Sequence, residues 1–272
     1  FYDRFSSSKD DIIKSIVDNT NTVAIGYNFR YNNTFEVARD VTTRIEAGVK
    51  ESGILLNSAL KSKPFDEYAK FNAELRNRFR VSDATSLATR IYAGAAVPIG
   101  GSYGAPLADL FYIGGPNSIR AFAPRSIGPG EFHNEKYDMY MYHSGEIKFE
   151  ANVEYRFPLF WMLEGAVFVD AGNVWNTRSV RDYCTKEELE ELEKTLGIVY
   201  NFDDGIKFNK LLKQTALGSG FGVRFVFQSI VARLDLGVAI HAPYDTGKPG
   251  YYNIPRFFKD GLRLNFGIGY PF

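Results

Sequence analysis

Polar and apolar residues alternate singly along GEIKFEANVEYRFP, residues 145–158. Glu146, Lys148, Glu150, Asn152, Glu154 and Arg156 fall on one side, and Ile147, Phe149, Ala151, Val153, Tyr155 and Phe157 on the other. A period of two is that of a β-strand, because successive side chains point to opposite faces of the pleat. Eight further stretches repeat the design, near 23–31, 44–50, 69–80, 86–97, 163–172, 217–228, 230–241 and 262–272. Each is about ten residues long, above the usual five or six of globular proteins and close to what a tilted membrane strand requires. The polar face is then either the outside of a soluble sandwich or the wet inside of a membrane barrel.

The connections bear on that choice. Short ones fall near 33–41, 81–85, 158–161 and 228–229, long ones near 54–66, 99–144, 176–215 and 242–261, and the two kinds take turns. In an up-and-down barrel every other connection lies at the same end, so one rim carries tight turns and the other long loops. Greek-key crossings in a sandwich have no reason to keep that parity. One helix is expected among the long loops, in 176–215: Thr185 caps it, Glu188 completes a capping box, and Leu189, Leu192 and Leu196 follow at helical spacing. Its run of glutamates, Glu187 to Glu193, reads as a solvated face.

Composition narrows the picture by exclusion. The 272 residues carry 32 cations and 32 anions, so no overall field recruits nucleic acid or an anionic surface. Aromatic residues reach 15% and glycines number 25, a mixture suited to strands with close-packed or bent positions. Cys184 is the single cysteine and forms no internal disulfide, and no Cys/His spacing fits zinc. No run of 18 apolar residues appears, which excludes a membrane helix and leaves a barrel untouched, since alternating strands barely register in hydropathy. The chain opens on Phe1 without a methionine or signal peptide, and the expectation is that this start is artificial.

The most specific passage lies in the long connection 99–144, where DLFYIGGPNSIRAFAPRSIGPG places one cation, Arg120, among apolar neighbours and turn formers. An arginine in a loop is ordinarily solvated. By the parity of their strands, Glu154 and Asp170 share the polar face of neighbouring segments, where two carboxylates can receive one guanidinium fork. Enzyme motifs are missing. GSGFG, residues 218–222, has its serine in the wrong place for a nucleophile elbow, and its glycines fit a thinned or bent strand face. His133, His143 and His241 are scattered without a nucleophile or ligand spacing, and the stripe Arg76, Arg78 and Arg80 is expected to balance carboxylates on the same face.

GGPNSIRAF, GEIKFEANVEYRFP and EGAVFVDAGNVW, in that order, resemble motifs of the BamA/TamA superfamily of outer-membrane assembly and translocation barrels, with the TamA-like branch nearer. The likeness extends over roughly 23–272. It implies an all-β fold, the C-terminal part, about nine strands, of a transmembrane antiparallel β-barrel with long surface loops, the whole of 1–272 forming one piece of one domain. It also implies that 99–144 folds back into the barrel and carries the family's Val/Ile-Arg-Gly-Phe tetrad, matched by Ile119, Arg120, Ala121 and Phe122, alanine standing in the glycine position. Glu154 and Asp170 match the family's two strand carboxylates, and the resemblance makes them the seat of Arg120. The last strand, with Leu262, Leu264, Phe266, Ile268, Tyr270 and Phe272, would be one lip of a lateral seam, and its final YPF resembles an insertion signal.

The expected setting is the outer membrane of a Gram-negative type cell. The expected partners are the lipid bilayer, nascent outer-membrane proteins as clients, the N-terminal part of the same barrel and accessory assembly subunits. No cofactor, metal, nucleic acid or enzymatic activity is implied. Two other classes stay open at this point: a barrel that anchors an upstream secreted enzyme such as a patatin-like lipase, and a soluble β-protein with an apolar core.

Overall fold

Alternation along the chain produces nine strands that pair in sequence order: β1 (Ala24–Asn32), β2 (Val41–Ser52), β3 (Tyr68–Arg80), β4 (Ser86–Pro98), β5 (Ile147–Pro158), β6 (Leu163–Trp175), β7 (Ala216–Phe227), β8 (Ile230–His241) and β9 (Leu262–Ile268). This is a computed structural model, and it describes residues 21–33, 40–62, 64–99, 105–133, 143–177, 179, 190, 203–228 and 230–272. Every ladder is antiparallel, with one register shift between Leu217 and Gly218. β1 and β9 do not pair, so the sheet is open, and each is an edge.

Most strands run 12 or 13 residues, longer than the period-two signal alone suggests. At ~3.4 Å per residue such a strand is ~40 Å long. Tilted as barrel strands are, by ~35–45°, it spans ~30 Å, the thickness of a bilayer's hydrocarbon. Tight turns join β3 to β4 and β5 to β6, where Val81 and Leu159 donate backbone N–H bonds across the turn, and the long connections all lie at the other rim. The parity of short and long connections is thus that of an up-and-down wall.

The two faces are inverted relative to a soluble protein. On β5, Glu150 and Glu154 have no exposed surface while Phe149 and Val153 are 42% and 45% exposed. Ile91, Val167, Val169, Phe221, Phe225, Leu234 and Leu236 continue the exposed apolar belt across the neighbouring strands, and Phe160 and Trp161 extend it at the β5–β6 turn. A continuous belt of this kind is far beyond the scattered apolar residues of a soluble surface and suits hydrocarbon, with aromatics at the interface. The soluble alternative fails on this arrangement, because its greasy side chains would be inside. The apolar core that does exist lies on the charged side of the sheet, where Phe111, Ile113, Ile119, Ala121, Phe122 and Ile127 of the loop 99–146 pack on Val174, Ala216 and Ala239 of the wall.

Two short helices were not legible in the alternation. α1 (Ile54–Leu60) and α2 (Phe257–Asp260) are too brief to show a helical period. The helix expected over 185–196 lies outside the described residues apart from Glu190. No described helix is long and apolar enough to cross a membrane. A further correction concerns the last residues. β9 stops at Ile268, Gly269 takes φ 82, and Tyr270 and Phe272 leave the strand line. Left-handed backbone at that position turns the chain inward. Tyr270 donates to Glu164 Oε2 at 2.9 Å, and the Phe272 carbonyl accepts from Arg156 at 3.4 Å.

Candidate functional site

The loop tip is shaped by its own backbone before it meets the wall. Gly114 and Gly115 adopt φ 95 and 94, and a Cβ on Gly114 would lie 2.1 Å from the Ala123 carbonyl oxygen, so the two arms close only with glycine there. Gly115 N–H donates to the Phe122 carbonyl at 2.9 Å, Phe122 N–H to the Ile119 carbonyl at 3.1 Å, and Ser118 Oγ accepts from Gly114 at 3.1 Å. The loop's entry is pinned by Asp109, which accepts from Lys50 at 2.8 Å and Lys70 at 3.3 Å and from the Tyr68 hydroxyl.

This folding presents Arg120 to the inner face of β5 and β6. Its Nε and Nη2 donate to Asp170 at 2.8 and 2.9 Å, its backbone N–H reaches the same carboxylate at 3.1 Å, and its Nη1 donates to Glu154. All three side chains have no exposed surface. The guanidinium lies over the Phe168 ring, 3.4 Å from its centroid, so one face of the cation is covered by an aromatic quadrupole while its edge is spent on carboxylates.

The carboxylates are in turn held by other arginines. Glu154 accepts from Arg156 Nε at 2.7 Å and Arg224 Nη2 at 2.9 Å, and Arg224 and Arg233 reach Asp235 at 2.9 and 2.6 Å. Asn152 joins the two halves, donating to Asp170 at 2.9 Å and to the Ser118 carbonyl at 3.0 Å. Charges stripped of water are tolerated only when each has partners, and here most are shared among several, so removing one leaves its neighbours with fewer bonds and a changed balance of charge.

Ile119, Ala121 and Phe122 flank the arginine as apolar packing, buried to 0%, 5% and 7% exposure. Ala121 is not among the residues with positive φ, so its methyl strains nothing. The methyl is accommodated by the wall: a Cβ on Gly218 would lie 2.5 Å from Ala121 Cβ, and one on Gly237 would lie 2.5 Å from the Arg120 carbonyl oxygen. The alternating glycines of β7 and β8 therefore leave the space the loop fills.

Sequence reasoning paired Arg120 with Glu154 and Asp170 and missed Phe168, Asn152, Arg224, Arg233 and Asp235 as members of the same cluster. Parity placed Arg224, Arg233 and Asp235 on the inner face, but nothing in a single sequence says how far a loop reaches across a wall. Phe168 carries no polar signal at all. Of the basic stripe, Arg76 pairs with Glu74 at 2.9 Å while Arg78 and Arg80 are exposed. Among the described residues there is no group of His, Cys, Asp and Glu suited to a metal. Leu264, Phe266 and Ile268 of β9 are exposed, and Leu262 is half-buried.

Among solved structures the wall is similar to BamA from Haemophilus ducreyi lacking POTRA domains 1–3, at 17% identity and a TM-score of 0.55, over 93% of this chain and 45% of that one. CdiB from Acinetobacter baumannii matches over 90% of this chain and 41% of its own, at 14% identity and a TM-score of 0.37. The chain thus spans less than half the length of these structures. No curated protein matches in sequence. The Omp85 superfamily domain matches residues 19–272, nearly the whole chain, and with an open antiparallel wall, an apolar outer belt and a buried inner loop already described, the chain belongs to the Omp85 superfamily of outer-membrane β-barrels.

Proposed function

We propose that the chain is a stretch of an outer-membrane barrel that assists the insertion or translocation of other outer-membrane proteins, and that β9 is the edge at which an incoming strand is templated. The observation that carries this reading is the seating of Arg120 on Glu154 and Asp170 in a wall whose last strand, β9, is laddered to β8 on one side alone among the described strands. A loop folded into a barrel at the expense of burying charge is a costly device for a passive pore. An unpaired edge offers a row of N–H and C=O groups to an extended segment, which is how strand addition gains affinity. The partners of this reading are the lipid bilayer, nascent outer-membrane proteins as clients, the N-terminal part of the same barrel, which supplies strands beyond β1, and accessory subunits. It requires no cofactor, nucleic acid or catalytic group.

The test places a photo-crosslinking side chain at Leu264 or Phe266 of β9, with Val169 in the middle of the wall as a control, in the protein that contains this chain reconstituted with a client barrel. Client adducts concentrated at β9 support the proposal. Equal yields at Val169, or no acceleration of client folding over empty vesicles, overturn it.

A further inference from the structure

β9 is held by a single ladder, from Val238↔Leu262 to Ala232↔Ile268 on β8. It has a second attachment, and that attachment is the motif loop. Asn265, on the inner face of β9 and 7% exposed, donates from Nδ2 to the backbone carbonyl of Arg120 at 2.7 Å. β8 prepares the contact. Gly237 leaves room for that carbonyl, and Arg233 donates to the Pro116 carbonyl at 2.9 Å and to the Asn117 side chain. Arg233 itself lies where a Cβ on Gly267 of β9 would be, 2.7 Å away.

The same residue is therefore gripped at both ends. The Arg120 guanidinium is locked to β5 and β6, and its carbonyl, a few bonds away, is locked to β9. We propose that Asn265 is the positioning residue that couples the seated loop to the edge strand, so that release of the loop and release of β9 favour one another. Coupling of this kind is reciprocal: whatever pulls β9 off the loop weakens the seat of Arg120 by the same free energy. Its functional meaning rests on β9 being the templating edge, but the coupling is measurable without any client.

The experiment is hydrogen exchange of the protein in nanodiscs, following residues 262–268 with β2, which carries no partner of Arg120, as the internal reference. Removing the Asn265 amide leaves a buried carbonyl unpaired beside a strand with one ladder, so Asn265→Ala speeds β9 exchange about tenfold. Arg120→Gln, altered at the end that faces β5 and β6, speeds it too, and the double variant exchanges no faster than the faster single one. Asn265→Asp is fast at pH 8, where a carboxylate faces a carbonyl, and recovers toward wild type in acid, where the neutral acid donates once more.

An unchanged β9 in Arg120→Gln, or additive effects in the double variant, overturn the coupling, since a purely local role for Asn265 gives that result. Should Arg120→Gln fail to fold, the Asn265 pair decides: no acceleration in Asn265→Ala, or no acid recovery in Asn265→Asp after correction for intrinsic exchange, overturns it. Client insertion is scored separately. Its failure beside intact coupling removes the assembly reading and leaves the coupling standing.

Discussion

Asp170 accepts three hydrogen bonds from Arg120, two from the guanidinium at 2.8 and 2.9 Å and one from the backbone amide at 3.1 Å. One carboxylate thereby fixes both the side chain and the path of the loop. In Asp170→Asn the amide retains one accepting oxygen and turns an NH2 group toward a cation, and removing one partner of a buried pair costs about 3–5 kcal/mol. The expected outcome is a lower unfolding midpoint and a loop that proteases cut between 105 and 130. Arg120→Lys does not restore the wild-type midpoint, because an ammonium cannot fork to one carboxylate while reaching Glu154.

Ala121 and Gly218 compete for one space. Gly218→Ala puts a second methyl 2.5 Å from Ala121 Cβ and destabilises the seated loop, by about 1–3 kcal/mol for an overpacked core. Adding Ala121→Gly relieves most of that loss, giving a positive coupling in a double-mutant cycle read by urea unfolding. Additive effects would show that the loop tip and β7 are not in contact.

Val153, 45% exposed in the middle of β5 beside Thr89 and Val169, meets hydrocarbon on this reading. Val153→Arg lowers folding stability in phosphatidylcholine vesicles by about 2–4 kcal/mol, whereas Leu159→Arg at the β5–β6 turn costs about 0–1 kcal/mol. A denaturant titration in vesicles checks both. Equal costs at the two depths would remove the membrane assignment of this face.

At the long-loop rim, burial, with repulsion from His133, holds the His143 imidazole below its ordinary 6.5, against the Gly128 carbonyl, which favours the charged form and lies 2.8 Å from Nδ1. The His133 ring lies 6.2 Å away and stacks on Tyr244, and Phe132 packs at 5.1 Å. A depressed histidine binds its proton more readily once unfolded, so its contribution is complete above pH 6.5 and is lost as pH falls below that value. Protection of residues 127–133 against hydrogen exchange should weaken between pH 7.5 and pH 5, and His143→Gln should flatten that dependence.

Strand positions were legible because a wall with hydrocarbon on one side and polar groups on the other writes its period into every strand, and the rim parity was legible because loop length needs no side-chain knowledge. What escaped was reach. Arg224, Arg233 and Asp235 sat on the right face, yet the meeting of Arg233 and Asp235 with a loop more than a hundred residues away, and of Arg224 with Glu154, is a tertiary fact. Phe168 was hidden because an aromatic on an inner face looks like an exception until a guanidinium is laid across it. Tyr270 and Phe272 continue the alternation of β9 in sequence, and only the left-handed turn at Gly269 takes them off it. A period-two signal cannot register one backbone torsion.

Nine consecutive antiparallel strands have a consequence for how this wall can be completed. Direction reverses at each step, so β1 and β9 point the same way across the membrane. Zipping those two edges directly would make a parallel ladder, with slanted bonds and a different register. A cylinder that stays antiparallel all the way round needs an odd number of strands between them, and a guest strand admitted beside β9 changes that parity by one.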